Sequence, residues 1–194
     1  MNVLIIPEDF RKDRYVVKPI IKKMLAEIGK PNAKVEVCLD PLLGGIGEAL
    51  KWARIQEILD QYKGMVQIFL LLVDRDGEEG RRQRLDSLES QATEYLQESR
   101  VLFGENAWQE IEVWAIAGQD LPNDWRWSEI RSEVHPKEAY FEPLAESRGL
   151  THEPGEGRKT LGREAATNYS RLRSRCQEDL GNLERRLSGW LASS

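Results

Sequence analysis

Residues 69–77 read FLLLVDRDG. They close a run, Met65 to Val73, that is apolar at eight of nine positions, with Gln67 the exception. An apolar run without alternation, bounded by turn residues, fits a strand covered on both faces, as in a parallel sheet between helical layers. The run ends on Asp74, Arg75, Asp76 and Gly77. In an extended segment Asp74 and Asp76 point one way and Arg75 the other. Two carboxylates at a strand end suit a hard divalent cation, while Asp-Gly is also an ordinary turn signal. Both readings stand at this level.

The flanking segments set the sheet type. Val3–Ile6 is a short apolar run closed by Pro7, and Lys34–Cys38 (KVEVC) alternates; both predict strands. Between them, Tyr15–Ile28 has apolar residues at helical spacing, with Pro19 acceptable only near the first turn and Gly29 and Pro31 as the stop. Pro41–Gly47 (PLLGGIG) reads as a loop and Glu48–Tyr62 as an amphipathic helix. After the central strand, Glu79–Leu102 reads as a polar helix and Glu110–Ala117 (EIEVWAIA) as a fourth strand. Strands alternating with helices predict an α/β fold, a mostly parallel four-stranded sheet flanked by helices. Prolines at 122, 136, 143 and 154 suggest short helices and loops, and from Leu161 the spacing is helical to the end. The expected organisation is an α/β core over 1–118 and a mainly helical extension packed on it over 119–194.

Composition narrows the function classes. The chain has 194 residues, 40% hydrophobic and 31% charged, with a formal net charge of −5. That balance argues against a free-standing nucleic-acid binder, which is usually basic. Cys38 and Cys176 are far apart and in no metal-ligand spacing, so both read as small core residues of a reducing compartment. The apolar start is too short for a signal peptide, and Met65–Val73 is half a membrane span. The expectation is a soluble cytoplasmic protein without membrane association. PLLGGIG lacks the lysine-serine ending of a phosphate-binding P-loop, and EPGEGRK at 153–159 reads as a flexible loop or lid.

In a parallel sheet, sites form beyond the carboxyl ends of the strands. Glu8 and Asp9 follow the first strand; Asp74 and Asp76 follow the third. If those strands are neighbours, Glu8, Asp74 and Asp76 converge. Three close carboxylates repel, and one protonates unless a cation compensates them. Oxygen ligands completed by water are what Mg²⁺ or Mn²⁺ prefers. Arg81, Arg82 and Arg84, just downstream, form either a phosphate-binding face or a solvated helix face. Trp125 and Trp127 bracket Arg126 as base-stacking candidates, with core or partner packing the plainer reading.

A glutamate after the first strand and DxD after the third resemble the Toprim fold of topoisomerases, bacterial primases and overcoming-lysogenization-defect (OLD) nucleases. Over roughly residues 1–118 the chain looks most like small Toprim-like proteins encoded beside an ABC-type AAA ATPase. The stretches that carry the likeness are PEDFRKDRYVVKPII (7–21), VDRDGEEGRR (73–82), EIEVWAIAG (110–118) and HPKEAYFEPL (135–144). The resemblance implies Glu8 as general base or metal-bridging acid, and Asp74, Asp76 and Glu112 as metal ligands. It implies Lys137 as the cation facing the developing phosphate charge. Where the family has glycine after the first glutamate, this chain has Asp9, and Asp13 is a candidate substitute ligand. The implied activity is Mg²⁺- or Mn²⁺-dependent cleavage of nucleic acid, DNA rather than RNA, by the effector of an ATPase-linked phage-defence system. The alternative is a regulatory subunit acting through protein partners.

Overall fold

The computed structural model describes residues 1–41, 43, 45–97 and 99–193. Leu42 and Gly44 of the expected 41–47 loop, Glu98 in the expected 79–102 helix, and Ser194 lie outside the described residues. The strands are β1 (Asn2–Pro7), β2 (Lys34–Val37), β3 (Ile68–Asp74) and β4 (Val101–Ala107). The helices are α1 (Arg14–Glu27), α2 (Ile46–Ala49), α3 (Trp52–Tyr62), α4 (Arg81–Tyr95), α5 (Glu112–Ala117), α6 (Trp127–Ser132), α7 (Glu142–Ser147), α8 (Arg158–Thr167), α9 (Tyr169–Arg175) and α10 (Leu180–Ser193). A π-helical turn, Lys137–Phe141, leads into α7.

Every residue of β3 from Ile68 to Val73 is buried. The strand pairs in parallel with β1 on one side and β4 on the other, and β1 carries β2. The order is β2-β1-β3-β4, so the chain is an α/β protein with an all-parallel four-stranded sheet flanked by helices and a C-terminal helix.

The two-residue period of the strands divides the core in two. Val3, Ile5, Ile68, Leu70 and Leu72 face α1, α5 and the C-terminal helices. Leu4, Ile6, Phe69, Leu71 and Val73 face α3 and α4. Fully burying one such side chain contributes about 1.5–3 kcal/mol, so both faces hold β3 in register. No helix of the described residues is long and apolar enough to cross a membrane.

Three expectations are corrected. The fourth strand is Val101–Ala107, and Glu110–Ala117, read as a strand, contains helix α5. Every residue of α5 is buried, so the apparent alternation never marked one wet and one dry face. VLFGENA hides a strand because Glu105 is buried in it, held by Arg82 and Asn182. Gly104 makes room there for α4, since a Cβ would stand 3.0 Å from the Leu85 side chain. The expected single helix from Leu161 is three helices sharing one apolar stripe. Asn168, between α8 and α9, donates its side-chain amide to the Gly118 carbonyl at 3.0 Å. Pro19 lies well inside α1, not in its first turn, and leaves the Tyr15 carbonyl without its usual helical donor. Helix α8 packs against that carbonyl through Gly162.

Candidate functional site

With the order β2-β1-β3-β4, the chain leaves β1 in one direction and returns to its other side with β3. Crossovers of opposite sense open a crevice at that switch point, beyond the strands' carboxyl ends. Glu8 and Asp74 occupy it. The Glu8 backbone extends the pairing by one residue, donating to the Leu72 carbonyl at 3.1 Å. Its carboxylate Oε2 accepts the Asp74 N–H at 3.4 Å. One Asp74 oxygen accepts the Ile111 N–H at 2.8 Å.

A cleft of about 220 Å³ opens over this pair. Glu112 and Lys137, both expected from sequence, line it as well. Asp13 and Glu110 complete the acidic wall. Glu112 is the first residue of α5, and Arg158, the first of α8, donates to its Oε1 through Nε at 2.9 Å and through Nη2. The Arg158 guanidinium lies over the Phe141 ring at 5.0 Å and also reaches Glu156, which pairs with Lys12. Glu110 accepts the Lys137 backbone N–H at 2.7 Å, while the Lys137 ammonium pairs with Glu138 at the surface.

Asp76 does not line the cleft. The extended backbone ends at Asp74. Asp76 and Gly77 take φ of 51° and 71°, and Glu78 N–H closes onto the Arg75 carbonyl at 2.9 Å. Two successive positive φ values in a hydrogen-bonded turn are the hairpin-type geometry that Asp-Gly favours. Buried Gln109 clamps this turn: its carbonyl accepts the N–H groups of Arg75 and Asp76, and its side chain accepts that of Gly77 at 2.9 Å. The DRDG stretch therefore divides its labour: Asp74 faces the cleft and Asp76 builds the turn, 3.4 Å from Arg81.

The cleft is short of positive charge. Burial raises the Asp13 carboxyl to about 8, with Glu112 repelling it further. Asp74 is pushed well above the carboxylate range by burial and then by the charges of Glu112, Asp13 and Glu8. Glu110 rises to about 7, chiefly through burial. Glu8 is raised by burial, against the stabilising Asp74 N–H. Among the described residues no three Asp, Glu, His or Cys side chains are placed close enough together to enclose a metal ion. The chemistry of the donor set still fits a hard cation. The oxygens belong to carboxylates whose ionised forms lack compensation, and Arg158, the buried cation among the described residues that line the cleft, is committed to Glu112.

Sequence reasoning placed Glu8, Asp74, Glu112 and Lys137 around one site. It missed Glu110, Gln109 and Arg158. Arg158 lay within the stretch read as a loop, and nothing local links it to Glu112, 46 residues away. The two tryptophans considered for stacking are used in packing: Trp125 meets Tyr140 edge-on at 5.0 Å, and Trp127 donates to the Arg175 carbonyl at 3.1 Å. Comparison of the chain with protein-family models, curated proteins and solved structures finds no match.

Proposed function

We propose that this chain is a Mg²⁺- or Mn²⁺-dependent phosphodiesterase of Toprim type that cleaves nucleic acid. The observation that carries the reading is the juxtaposition of Glu8 and Asp74 at the switch point, in a cleft whose carboxylates are held above their usual range. Glu8 and Asp74 would hold the ion, with Asp13 and Glu112 completing the acidic wall. A bound divalent ion would supply Lewis acidity toward a phosphoryl oxygen and acidify a bound water. Glu8, already shifted toward neutrality, is suited to accept a proton from water. Lys137 lines the same cleft and offers a cation to the anionic centre. The net charge of −5 supports delivery of the substrate by a basic partner. With the resemblance described above, that partner is an ABC-type AAA ATPase and the setting is phage defence.

One observation favours a second reading. Arg158 is fully buried and already places a cation beside Glu112, as a structural counter-ion does in a site that binds no metal. The chain would then be a non-catalytic subunit working through protein partners. Nicking of supercoiled plasmid with Mn²⁺, Mg²⁺ or chelator, comparing the protein with Asp74→Asn, separates the two. The proposal expects metal-dependent nicking that the variant loses. Equal nicking by both proteins would remove this site from the chemistry, and no nicking together with no Asp74-dependent Mn²⁺ binding would favour the subunit.

A further inference from the structure

A second hollow lies at the N-terminal end of α4. It has a volume of about 290 Å³ and is lined by Ile46, Glu78, Gly80, Arg81 and Arg84. Gly80 caps α4, a helix of 15 residues with no side-chain cap and no acid in its first turn. The unpaired N–H groups of such an end attract anions. Arg81 gives a separate indication. Its side chain is only 6% exposed, and its Nε has no hydrogen-bond partner among the described residues. Its carboxylate contact, Asp76, stands at 3.4 Å and is half exposed. A buried guanidinium N–H left without an acceptor is costly, and a shift of the side chain toward the hollow would let an oxygen anion supply one. Arg84, one turn along and exposed, has no ion-pair or side-chain hydrogen-bond partner among the described residues. Arg82, between them, is consumed by Asp86, Glu89 and Glu105. Glu78, which is exposed, also lines the hollow, against the two arginines and the helix end.

We propose that this hollow is a phosphate-binding subsite, in which Arg81, Arg84 and the first turn of α4 hold a phosphate of a nucleic-acid strand. The identity of the strand as substrate rests on the phosphodiesterase reading; the anion site itself does not. Arg81 links the two places: it lines the hollow, and its Nη2 reaches the Arg75 carbonyl at 3.3 Å and Asp76 at 3.4 Å, in the turn that follows Asp74. A strand seated by one phosphate here presents a neighbouring phosphate to the carboxylates of Glu8 and Asp74. A guanidinium with a free N–H and a helix N-terminus suit the tetrahedral oxygens of phosphate.

The test is binding in chelator, so that metal-dependent cleavage plays no part. A short labelled single-stranded oligonucleotide, with or without a 5′-phosphate, is titrated with the full chain and its anisotropy followed across a salt series. Inorganic phosphate is titrated separately against the backbone amide signals of Arg82 and Gln83. Arg84→Ala, at an exposed position, is expected to lower the slope of log K against log salt by about 0.7, the loss of one single-strand phosphate contact. Arg84→Glu is expected to weaken binding further, and Lys22→Ala, at an exposed position of α1 that lines neither the cleft nor the hollow, to keep the wild-type slope. Stronger binding of the 5′-phosphorylated strand marks the occupant as a terminal phosphate; equal binding marks an internal diester. An unchanged slope in Arg84→Ala, or an absence of both oligonucleotide binding and phosphate-induced shifts, overturns the subsite. Failure of the phosphodiesterase reading shows separately, as binding without metal-dependent nicking.

Discussion

Arg158 and Glu112 form a buried ion pair between the first residues of two helices, and it closes the inner wall of the acidic cleft. The Arg158 side chain is 2% exposed and that of Glu112 7%, so neither has water to fall back on. Such a pair contributes little net stability over an apolar substitute, but breaking it strands a charge. Arg158→Met should therefore cost about 3–5 kcal/mol in urea unfolding near neutral pH. Glu112→Gln with Arg158→Met should recover most of that loss. A double variant as unstable as the single one would show that the packing of Arg158 on Phe141, not its charge, matters.

The raised carboxyl of Asp13 makes a signed prediction about pH. Its ordinary value is 3.8 and its folded value about 8, so between those limits the folded protein holds a proton that the unfolded chain has released. Stability must then fall as pH rises through that window. The contribution is complete below 3.8 and gone above about 8. Glu110, raised to about 7, acts in the same direction. Thermal unfolding midpoints should decline toward the alkaline end, and Asp13→Asn should flatten the decline. Mn²⁺ should raise the midpoint more at the upper end than at the lower, because a cation relieves the repulsion that protonation otherwise removes. A midpoint that rises with pH in metal-free buffer would contradict this account.

Asp74 and Asp76, equivalent on paper, should separate in an activity assay. Asp74→Asn removes a cleft carboxylate and should reduce metal-dependent nicking by more than about 100-fold, the upper end for the loss of a metal's outer partners. Asp76→Asn should reduce it less than about tenfold, since asparagine tolerates the left-handed backbone and the turn survives. Asp76→Val, by contrast, should cost about 1–2 kcal/mol of stability through its positive φ. Equal losses in Asp74→Asn and Asp76→Asn would place Asp76 among the ligands after all.

The legible parts of this protein were those with a single dominant local signal. Ile68–Val73 could be little other than a central strand, because an uninterrupted apolar run must be covered on both sides; Met65–Gln67, read with it, precede the strand, and Met65 is exposed. Once β1 and β3 were recognised as parallel strands, the position of Glu8 and Asp74 at their ends followed from topology. What escaped was whatever depends on partners distant in sequence. Glu105 and Gly104 disguised β4, since one is a buried acid and the other lacks a side chain; Arg82 and Leu85 explain both only in three dimensions. Helix α5 was mistaken for a strand because total burial erases the period that distinguishes the two. Arg158 gave no signal at all, as its partner precedes it by 46 residues.

Two glycines test how α8, which carries Arg158, is held against the core. A Cβ at Gly162 would stand 2.5 Å from the Tyr15 carbonyl and 2.9 Å from Val16 Cα, both backbone atoms that cannot swing aside. Gly162→Ala should therefore push α8 away from α1 and cost about 1–3 kcal/mol, as overpacked contacts do. Residues 158 and 162 lie one turn apart on the same helix face, so the displacement should also disturb the Arg158–Glu112 pair. Gly189, in α10, has nothing within 4 Å of its added Cβ, and Gly189→Ala should stabilise by about 0.5–1 kcal/mol through helix propensity alone. Paired urea titrations of the two variants carry the argument, because the same substitution must change sign between the sites. Destabilisation by both would mean that α10 is held by contacts its glycine does not reveal, and tolerance of Gly162→Ala would mean that α8 is free to shift without consequence for the cleft.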